Sequence, residues 1–441
     1  MNQSNKGYHT IIIGGGPAGT GALVYGGWSG RLGELLSQGV ALVEAGQDLC
    51  VGKLNEYQIT SNTISRDFID FLNHDLAAKT FVEAANSPMY QQFLDNHEEV
   101  IPLSEVGEFL KISGQDLARA FDQYAASDLY LGCSVHKIRQ MRNGQYEVYF
   151  NRDDGKTECL TAKKVVMATG GRPISCKRTG LLVHELAAEA DSEAQPLIMS
   201  SRDILTEEGL QTAEMWLGNF DDPQVVIIGA SHSGFSSAWV LLNLEDSEFE
   251  PDDFEIKMVH RNPVKVFYES AEEARSDGFT DFGDDDICPV SGNVYYIAGL
   301  RGDAKQLYRE VANLGDEAGN DAIEMIYNAS IAEGLRHDSI DWSRVALVIF
   351  AGGYDFREVH IENPMGTSIR LQGSYTGRYV NDQCKLLDTL GNPIDGLYAV
   401  GLGTGFSLTK FGRGEVSFKG QENSVWLCQH DIGESLFNEL V

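Results

Sequence analysis

The sequence lacks features that would assign it to several common protein classes. No stretch approaches the roughly 18 uninterrupted apolar residues of a membrane-spanning helix, and the first predicted strand begins near Tyr8, which leaves no room for a cleavable signal peptide. Basic residues are scarce, with 34 Lys and Arg against 65 Asp and Glu and a formal net charge of −31. This charge argues against nonspecific binding to nucleic acid or to an anionic membrane. We therefore expect a cytoplasmic protein with neither kind of partner.

Paired cysteines are also missing. The seven cysteines are scattered over 441 residues and none forms a CxxC motif, which argues against a zinc ribbon or a vicinal redox disulfide. Scattered thiols are typical of a reducing compartment, and no metal site is predicted.

The chain does contain a glycine-rich turn near its start, HTIIIGGGPAGTGAL. Gly14, Gly16 and Gly19 have the GxGxxG spacing of dinucleotide-binding proteins: the first permits a tight turn, the second lets a pyrophosphate approach, and the third lets the helix pack on the strand. Pro17 suits the first helical turn. That helix N-terminus, which includes Ala18, would face the phosphates. We call residues 14–19 the first glycine turn.

A dinucleotide-binding unit also needs an acid at the end of its second strand, to bind the ribose hydroxyls. Glu44 ends the run VALVE, 30 residues after Gly14, whereas the simple motif has its acid after about 20 residues. We interpret residues 26–34 as an insertion that explains the delay.

A second strand, turn and helix are predicted from VVIIGASHSGF, in the middle of the chain. Gly229, Ser231 and Gly234 give GxSxxG, and with His232 and Ser233 they form the second glycine turn. Serine is small enough to let a phosphate approach, and its hydroxyl, like the histidine side chain, can donate a hydrogen bond to one. Both side chains are also explained as ordinary polar turn residues.

The strand after the second glycine turn, EIKMVHRNP, ends in Arg261 and has no acid at the ribose position. An acid there favours NAD, whereas an arginine suits the 2′-phosphate of NADP. We therefore predict NADPH, the alternative being that Arg261 is an ordinary surface charge.

Three later strand ends complete the pattern, in the runs VVMATGG, VALVIFAGGY and GLYAVGLGTG. Their order resembles the flavoprotein superfamily with two dinucleotide-binding domains, which includes the pyridine nucleotide oxidoreductases and the class B flavin monooxygenases. The resemblance implies FAD at the first glycine turn and NAD(P)H at the second. It also places Ala168, Thr169, Gly170 and Gly401 at the cofactors. Leu402 departs from the family, which usually has Asp there, so one contact to the flavin is lost.

The same resemblance implies an α/β fold. We expect two Rossmann-like, three-layer ββα dinucleotide-binding domains, with the NAD(P)-binding domain inserted into the FAD-binding domain. Residues 1–200 are predicted as the first part of the FAD-binding domain and 201–350 as the NAD(P)-binding domain. Residues 351–441 are predicted as the return segment and C-terminal helix of the FAD-binding domain.

The branch of the superfamily is predicted by elimination and by one partial match. The two places where disulfide reductases carry a cysteine pair hold only Cys50 and Cys288, so a dithiol relay is excluded. FAGGY, residues 350–354, resembles the ATGY motif of the N-hydroxylating flavin monooxygenases but has Gly352 in place of threonine. We predict an FAD-dependent, NADPH-using oxidoreductase, a flavin monooxygenase that acts on a small organic substrate with molecular oxygen. The alternatives are an NAD(P)H-dependent dehydrogenase or reductase without oxygen activation, and a non-catalytic nucleotide-sensing flavoprotein.

In such enzymes the flavin performs the chemistry, while the protein excludes water and donates hydrogen bonds. The segment beside the flavin supplies Tyr57, Asn62 and Thr63 as predicted catalytic residues; a polar loop explains them equally well. Arg301, in the long stretch 279–310, and Arg275, shortly before it, are predicted partners for an NADP phosphate. A homodimer is the default assembly, and the sequence does not identify the substrate.

Overall fold

The computed structural model describes residues 6–174, 177–190, 195–243, 254–316, 319–407, 414–421 and 424–441. The strands in these ranges are β1 (Gly7–Ile13), β2 (Val40–Val43), β3 (Thr60–Ile64), β4 (Val100–Pro102), β5 (Asp128–Tyr130), β6 (Cys133–Gln140), β7 (Tyr146–Arg152), β8 (Thr157–Met167), β9 (Gly171–Pro173), β10 (Leu197–Ser200), β11 (Gln224–Ile228), β12 (Glu255–His260), β13 (Ile323–Tyr327), β14 (Val345–Phe350), β15 (Tyr354–Phe356), β16 (His360–Glu362), β17 (Lys385–Leu387) and β18 (Pro393–Ala399).

The α-helices are α1 (Pro17–Trp28), α2 (Leu32–Leu36), α3 (Ser65–Ile69), α4 (Val82–Ala85), α5 (Pro88–Asp95), α6 (Leu103–Asp122), α7 (Lys177–Glu189), α8 (Ser201–Ile204), α9 (Glu207–Leu217), α10 (His232–Leu242), α11 (Ala271–Ser276), α12 (Gly302–Ala312), α13 (Ile331–Gly334), α14 (Gly373–Thr376), α15 (Val425–Gln429) and α16 (Asp431–Leu440). Among the residues that the structure covers, none of the helices combines the length and hydrophobicity that a membrane span needs.

The first large sheet contains the strand that leads into the first glycine turn. Its order is β16-β6-β7-β8-β1-β2-β5, and β18 pairs with the end of β8. The strands β2, β1, β8 and β18 are parallel where they pair. Ile11, Ile12 and Ile13 are buried in the core around this sheet, as expected for a β-branched strand covered on both faces. The carboxyl ends of these strands therefore meet at one edge.

The second sheet has five strands in the order β10-β14-β11-β12-β13, all parallel. Val225 and Ile227 of β11 lie in one hydrophobic core, and Val226 and Ile228 lie in another. Because side chains alternate along a strand, these two cores cover the two faces of the sheet. The prediction of an α/β protein with two Rossmann-like domains is confirmed.

The chain crosses twice between the two sheets, and the crossings pair with each other. β9 follows β8 out of the first sheet, and β15 follows β14 out of the second. They form an antiparallel pair in which Tyr354 faces Pro173 and Phe356 faces Gly171. This pair brings the ends of β8 and β14 together at the junction of the sheets.

The helix of the first glycine turn, α1, is covered by the end of the chain. A Cβ added to Gly21 would lie 2.1 Å from the carbonyl oxygen of Cys428, so α1 and α15 approach closely. The C-terminal helix is broken at His430, whose backbone (φ −115°, ψ −97°) is not helical. Residues 26–28 form the last turn of α1, and the short α2 follows before β2.

Candidate functional site

The first glycine turn is dictated by the packing of a strand, a helix and a crossing strand. Gly14 has φ +101°, and a Cβ on it would lie 2.2 Å from the carbonyl oxygen of Ala168. A Cβ on Gly19 would lie 1.9 Å from the carbonyl oxygen of Gly14. Neither position accepts a side chain. The nitrogen of Gly14 donates to the carbonyl oxygen of Val43 (2.8 Å), which ties the turn to the end of β2.

Gly16 immediately precedes α1 and leaves room beside the helix N-terminus. Its backbone is extended (φ −70°, ψ −176°), and no side chain caps the first helical turn. A Cβ on Gly16 would lie 3.3 Å from the Cα of Gly52, and Pro17 stands at the first position of the helix. The uncapped N–H groups and the narrow opening fit a pyrophosphate.

Glu44 lies at the end of β2, where a ribose hydroxyl is expected. Its carboxylate accepts hydrogen bonds from the nitrogens of Gly15 and Gly46. The carboxylate thus stabilises the backbone of the turn, and it also lies at the position expected for a ribose contact. The predicted acid and the glycine turn are in direct contact.

The return segment after β18 closes over the start of α1. Gly401 has φ +96°, and a Cβ on it would lie 2.9 Å from the Cβ of Ala18. Gln421 accepts hydrogen bonds from the nitrogens of Gly403 (3.0 Å) and Gly405 (2.9 Å). Sequence reasoning missed Gln421, because nothing local marks a side chain that acts on residues 16 to 18 positions away.

The predicted ATG segment joins the crossing as well as the turn. The nitrogen of Ala168 donates to the carbonyl oxygen of Ile13 (2.8 Å). The hydroxyl of Thr169 donates to the carbonyl oxygen of Arg357 (2.5 Å). In return, the backbone nitrogen of Arg357 donates to the carbonyl oxygen of Gly170 (3.2 Å). The Thr169 hydroxyl is therefore already engaged with the second crossing.

The second glycine turn repeats the backbone of the first. Gly229 has φ +115°, and a Cβ on it would lie 2.6 Å from the carbonyl oxygen of Ala351. A Cβ on Gly234 would lie 1.9 Å from the carbonyl oxygen of Gly229. Ser231 immediately precedes α10 with an extended backbone (φ −112°, ψ −171°), and its side chain makes no capping hydrogen bond. The carbonyl oxygen of Ser233 accepts from the hydroxyl of Ser237 within the helix (2.6 Å).

His232, the first residue of α10, is half-buried, and its ring is neutral at pH 7. Its Nε2 lies 3.2 Å from the carbonyl oxygen of Gly299, to which it donates. Burial lowers the pKa of His232 to about 4. Since Nε2 carries the proton, Nδ1 is an acceptor. The ring therefore fixes the segment around Gly299 against the second glycine turn.

Arg261 follows β12 and is exposed. Its neighbour His260 is buried, with Nδ1 2.8 Å from the carbonyl oxygen of Asn262. β12 pairs in register with β11, so Arg261 lies at the same sheet edge as the second glycine turn. This is the edge where the 2′-substituent of a bound nucleotide is expected.

A match with a known protein family accounts for both glycine turns. The family of pyridine nucleotide-disulphide oxidoreductases matches residues 8–279. The chain belongs to this family. Its turns, strand order and crossings are those of an enzyme that binds FAD and NAD(P)H.

One relative is similar over nearly the whole chain. The CMP-5′-(3-aminopropyl)phosphonate hydroxylase of Streptomyces rubellomurinus is 30% identical over 450 residues, covering 98% of this chain and 97% of the relative. Two solved structures share the fold. The ornithine hydroxylase of Pseudomonas aeruginosa has a TM-score of 0.59 at 16% identity, and covers 98% of both chains. The ornithine N-hydroxylase of Kutzneria sp. 744 has a TM-score of 0.57 at 14% identity, with 98% of each chain covered.

These comparisons confirm the predicted class. The chain is an FAD-dependent, NAD(P)H-using oxidoreductase of the flavin monooxygenase type. The cysteines that the structure describes are all free thiols, despite the family's name. Burial raises the pKa of Cys50, next to the first glycine turn, to about 12. A thiol held protonated in this way is a poor nucleophile.

The predicted catalytic residues of this oxidoreductase fall in two places. Tyr57 lies against the second domain, where it bridges to Thr206, and burial raises its pKa to about 12. The hydroxyl is therefore a donor at neutral pH. Asn62 is exposed and Thr63 half-buried, and both lie on β3.

Sequence reasoning missed the residues that accompany Tyr57. Tyr354, at the start of β15, interacts electrostatically with Tyr57, and Arg202 interacts with both tyrosines. Burial also raises the pKa of Tyr354, whose hydroxyl hydrogen-bonds with Ser201. The FAGGY motif that indicates the enzyme class already contains Tyr354. What it cannot indicate is that the crossing pair brings this residue to Tyr57.

Proposed function

We propose that this oxidoreductase N-hydroxylates a primary amine on a small substrate that carries a phosphonate or phosphate, of the kind represented by CMP-5′-(3-aminopropyl)phosphonate. The observation that carries the proposal is the 30% identity to the hydroxylase of that compound, which extends over nearly the full length of both chains. The two ornithine hydroxylases with the same fold, which also act on an amine-bearing molecule, support the choice of an amine.

The proposed reaction balances with the cofactors of the family. NADPH gives two electrons and a proton is consumed. One atom of O₂ is inserted into an N–H bond of the amine to give the hydroxylamine, and the other leaves as water. Bound FAD supplies the hydride acceptance and oxygen activation that no amino-acid side chain provides.

The residues proposed for cofactor binding are those around the two glycine turns. Around the first turn, which would hold FAD, they are Gly14, Gly16, Pro17, Ala18, Gly19, Glu44, Ala168, Thr169, Gly170 and Gly401. Around the second turn, which would hold NADPH, they are Gly229, Ser231, His232, Ser233, Gly234 and Arg261.

Tyr57, Asn62 and Thr63 are proposed to act at the substrate side of the flavin. The half-buried, protonated Tyr57 would donate a hydrogen bond near the reacting oxygen. The domain limits 1–200, 201–350 and 351–441, a homodimer and a cytoplasmic location are further proposals from the sequence.

The test is formation of a labelled product. The purified FAD-loaded enzyme is incubated with NADPH, ¹⁸O₂ and CMP-5′-(3-aminopropyl)phosphonate, and the products are separated by mass spectrometry. We expect a product heavier by one ¹⁸O atom, with the label on nitrogen. A matched reaction uses the same compound with its amine acetylated and is expected to give no product. NADPH oxidation and reduction of an artificial electron acceptor, without any labelled product, would contradict the proposal and favour a reductase.

A further inference from the structure

Arg301 is an unusual cation in this acidic chain. It immediately precedes α12 and is half-buried. Its guanidinium carbon lies 3.9 Å from the centre of the Phe267 ring and 5.6 Å from that of Tyr296. One of its N–H groups donates to the carbonyl oxygen of Tyr296. The aromatic contacts fix the plane of the guanidinium.

The guanidinium has no ion-pair partner among the residues that the structure describes. The acids that interact with it at longer range are Asp67 and Glu415. Glu415 is engaged, because its carboxylate accepts from the nitrogens of Ile297 (2.9 Å) and Ala298 (3.0 Å). Burial lowers the pKa of Arg301, which is the sign of a charge held without a close counter-ion.

Removing such a charge from water costs free energy unless an anion pairs with it. A guanidinium has five N–H donors in one plane, and the described residues use one of them. None of the others belongs to the buried polar atoms of the described chain that lack a partner, so they keep access to solvent. A guanidinium that is stacked on aromatic rings and accessible to solvent can bind a phosphoryl group with two parallel hydrogen bonds.

The position of Arg301 links it to both sides of the active site. The carbonyl oxygen of Gly299 accepts from His232 at the start of α10. On the other side, a Cβ on Gly302 would lie 3.3 Å from the carbonyl oxygen of Ser61 in β3. Arg301 therefore lies between the NADP-side helix and the strand that carries Asn62 and Thr63.

We propose that Arg301 is the anchor for a phosphoryl anion between the start of α10 and β3. This deepens and rests on the proposed function, since the anion would be the phosphonate or phosphate of the amine substrate. The same chemistry is offered by a phosphate of NADPH, and the test separates the two sources.

The experiment measures binding to the FAD-loaded protein by isothermal titration calorimetry. The substrate-side probes are 3-aminopropylphosphonate and 1-aminopropane, which lacks the anion; the cofactor-side probe is 2′-phospho-ADP-ribose. The variants are Arg301→Met, which keeps the stacking volume, and Arg301→Lys, which keeps the charge. Arg336→Met is the control, because Arg336 is an exposed arginine of the same domain outside residues 279–310. Flavin content and melting temperature verify folding.

We expect Arg301→Met to lower the affinity for one of the two phosphoryl probes by at least about tenfold, because a charge-assisted hydrogen bond is lost. The lysine variant should recover part of it, and 1-aminopropane should be unaffected. Loss for 3-aminopropylphosphonate assigns the anion to the substrate, and loss for 2′-phospho-ADP-ribose assigns it to the cofactor. Equal binding of both anions to wild type and Arg301→Met, or no binding of either to wild type, would overturn the proposal. Because the readout needs no turnover, it is independent of whether the amine is hydroxylated.

Discussion

The two glycine turns have the same backbone and different side chains. In each, the nitrogen of the first glycine donates to the end of the neighbouring strand, at 2.8 Å from Gly14 and 2.9 Å from Gly229. In each, a Cβ on the last glycine would lie 1.9 Å from the carbonyl oxygen of the first. Both middle residues are extended, although one is glycine and the other is Ser231. Packing therefore sets the outer glycines, while the middle residue and the strand-end side chain are free to differ with the cofactor.

The strand ends differ more than the turns. The first turn is held by a carboxylate, Glu44, that bonds to the nitrogens of Gly15 and Gly46. At the second turn an exposed Arg261 follows the strand, and the neutral ring of His232 is bonded to a segment 67 residues away. The first turn is thus held by a residue that directly follows β2, whereas the second turn is held by the long segment between β12 and β13. The predictions below test this contrast.

The largest effect is expected from Gly16→Val in the first turn. The added side chain meets the Cα of Gly52 and fills the opening at the helix N-terminus, so bound flavin should fall below about one tenth of the protein. The measurement is the flavin absorbance that remains with the protein after gel filtration. Gly7→Val, at the exposed start of β1, is the control and should keep its flavin. Full occupancy in Gly16→Val would refute the assignment of FAD to this turn.

The next effect concerns acid sensitivity, which only the second turn should show. The folded protein holds the pKa of His232 at about 4, below its ordinary value of 6.5, so the unfolded chain binds more protons between these values. Stability from this group is present above pH 6.5 and is lost as the pH falls towards 4. His232→Gln should reduce the loss of unfolding free energy between pH 7 and pH 5 by on the order of 2 kcal/mol.

Urea unfolding at the two pH values measures this difference. The exposed His136 provides the control variant, His136→Gln, which should behave like wild type. An acid-side loss in His232→Gln that equals that of wild type would mean that the ring is not held neutral.

A smaller change is expected at the second strand end. Arg261→Ala should weaken NADPH about tenfold and leave NADH nearly unchanged, because one charge-assisted contact to the 2′-phosphate is lost. The measurement is the coenzyme concentration dependence of anaerobic flavin reduction. Arg336→Ala, at an exposed arginine of the same domain, is the control. If both coenzymes lose equally, Arg261 does not read the 2′-phosphate.

The smallest effect is expected from Ser231→Gly, which makes the second turn resemble the first. Its backbone is already extended and its side chain caps nothing, so NADPH affinity should change less than about threefold. The same reduction assay measures it. A tenfold loss would instead identify the Ser231 hydroxyl as a phosphate ligand.

The sequence predicts those parts of the molecule that depend on local patterns. The glycines of both turns, the acid Glu44 and the cationic strand end at Arg261 are each read within a strand, a turn and a helix. The enzyme class follows from the order of these units along the chain. These features depend on backbone geometry, which the residue types dictate directly.

The remaining parts of the site depend on contacts between distant segments. The pairing of β9 with β15, which brings Tyr354 to Tyr57, joins residues about 180 positions apart. The stacking of Arg301 on Phe267 and the hydrogen bond from His232 to Gly299 arise because the long segment between β12 and β13 folds back on the second turn. No local pattern indicates where such a segment packs. The sequence therefore gives the identity of these residues but not their contacts.

The central claim is that the two turns hold a hydride donor and a flavin that activates oxygen for hydroxylation of an amine. The most direct measurement is a double-mixing absorbance experiment, in which the flavoprotein is reduced anaerobically by NADPH and then mixed with oxygenated buffer and CMP-5′-(3-aminopropyl)phosphonate. The account predicts a transient spectrum distinct from those of oxidised and reduced flavin, with a decay that the amine accelerates. Direct return to oxidised flavin, at a rate that the amine does not change, would contradict it.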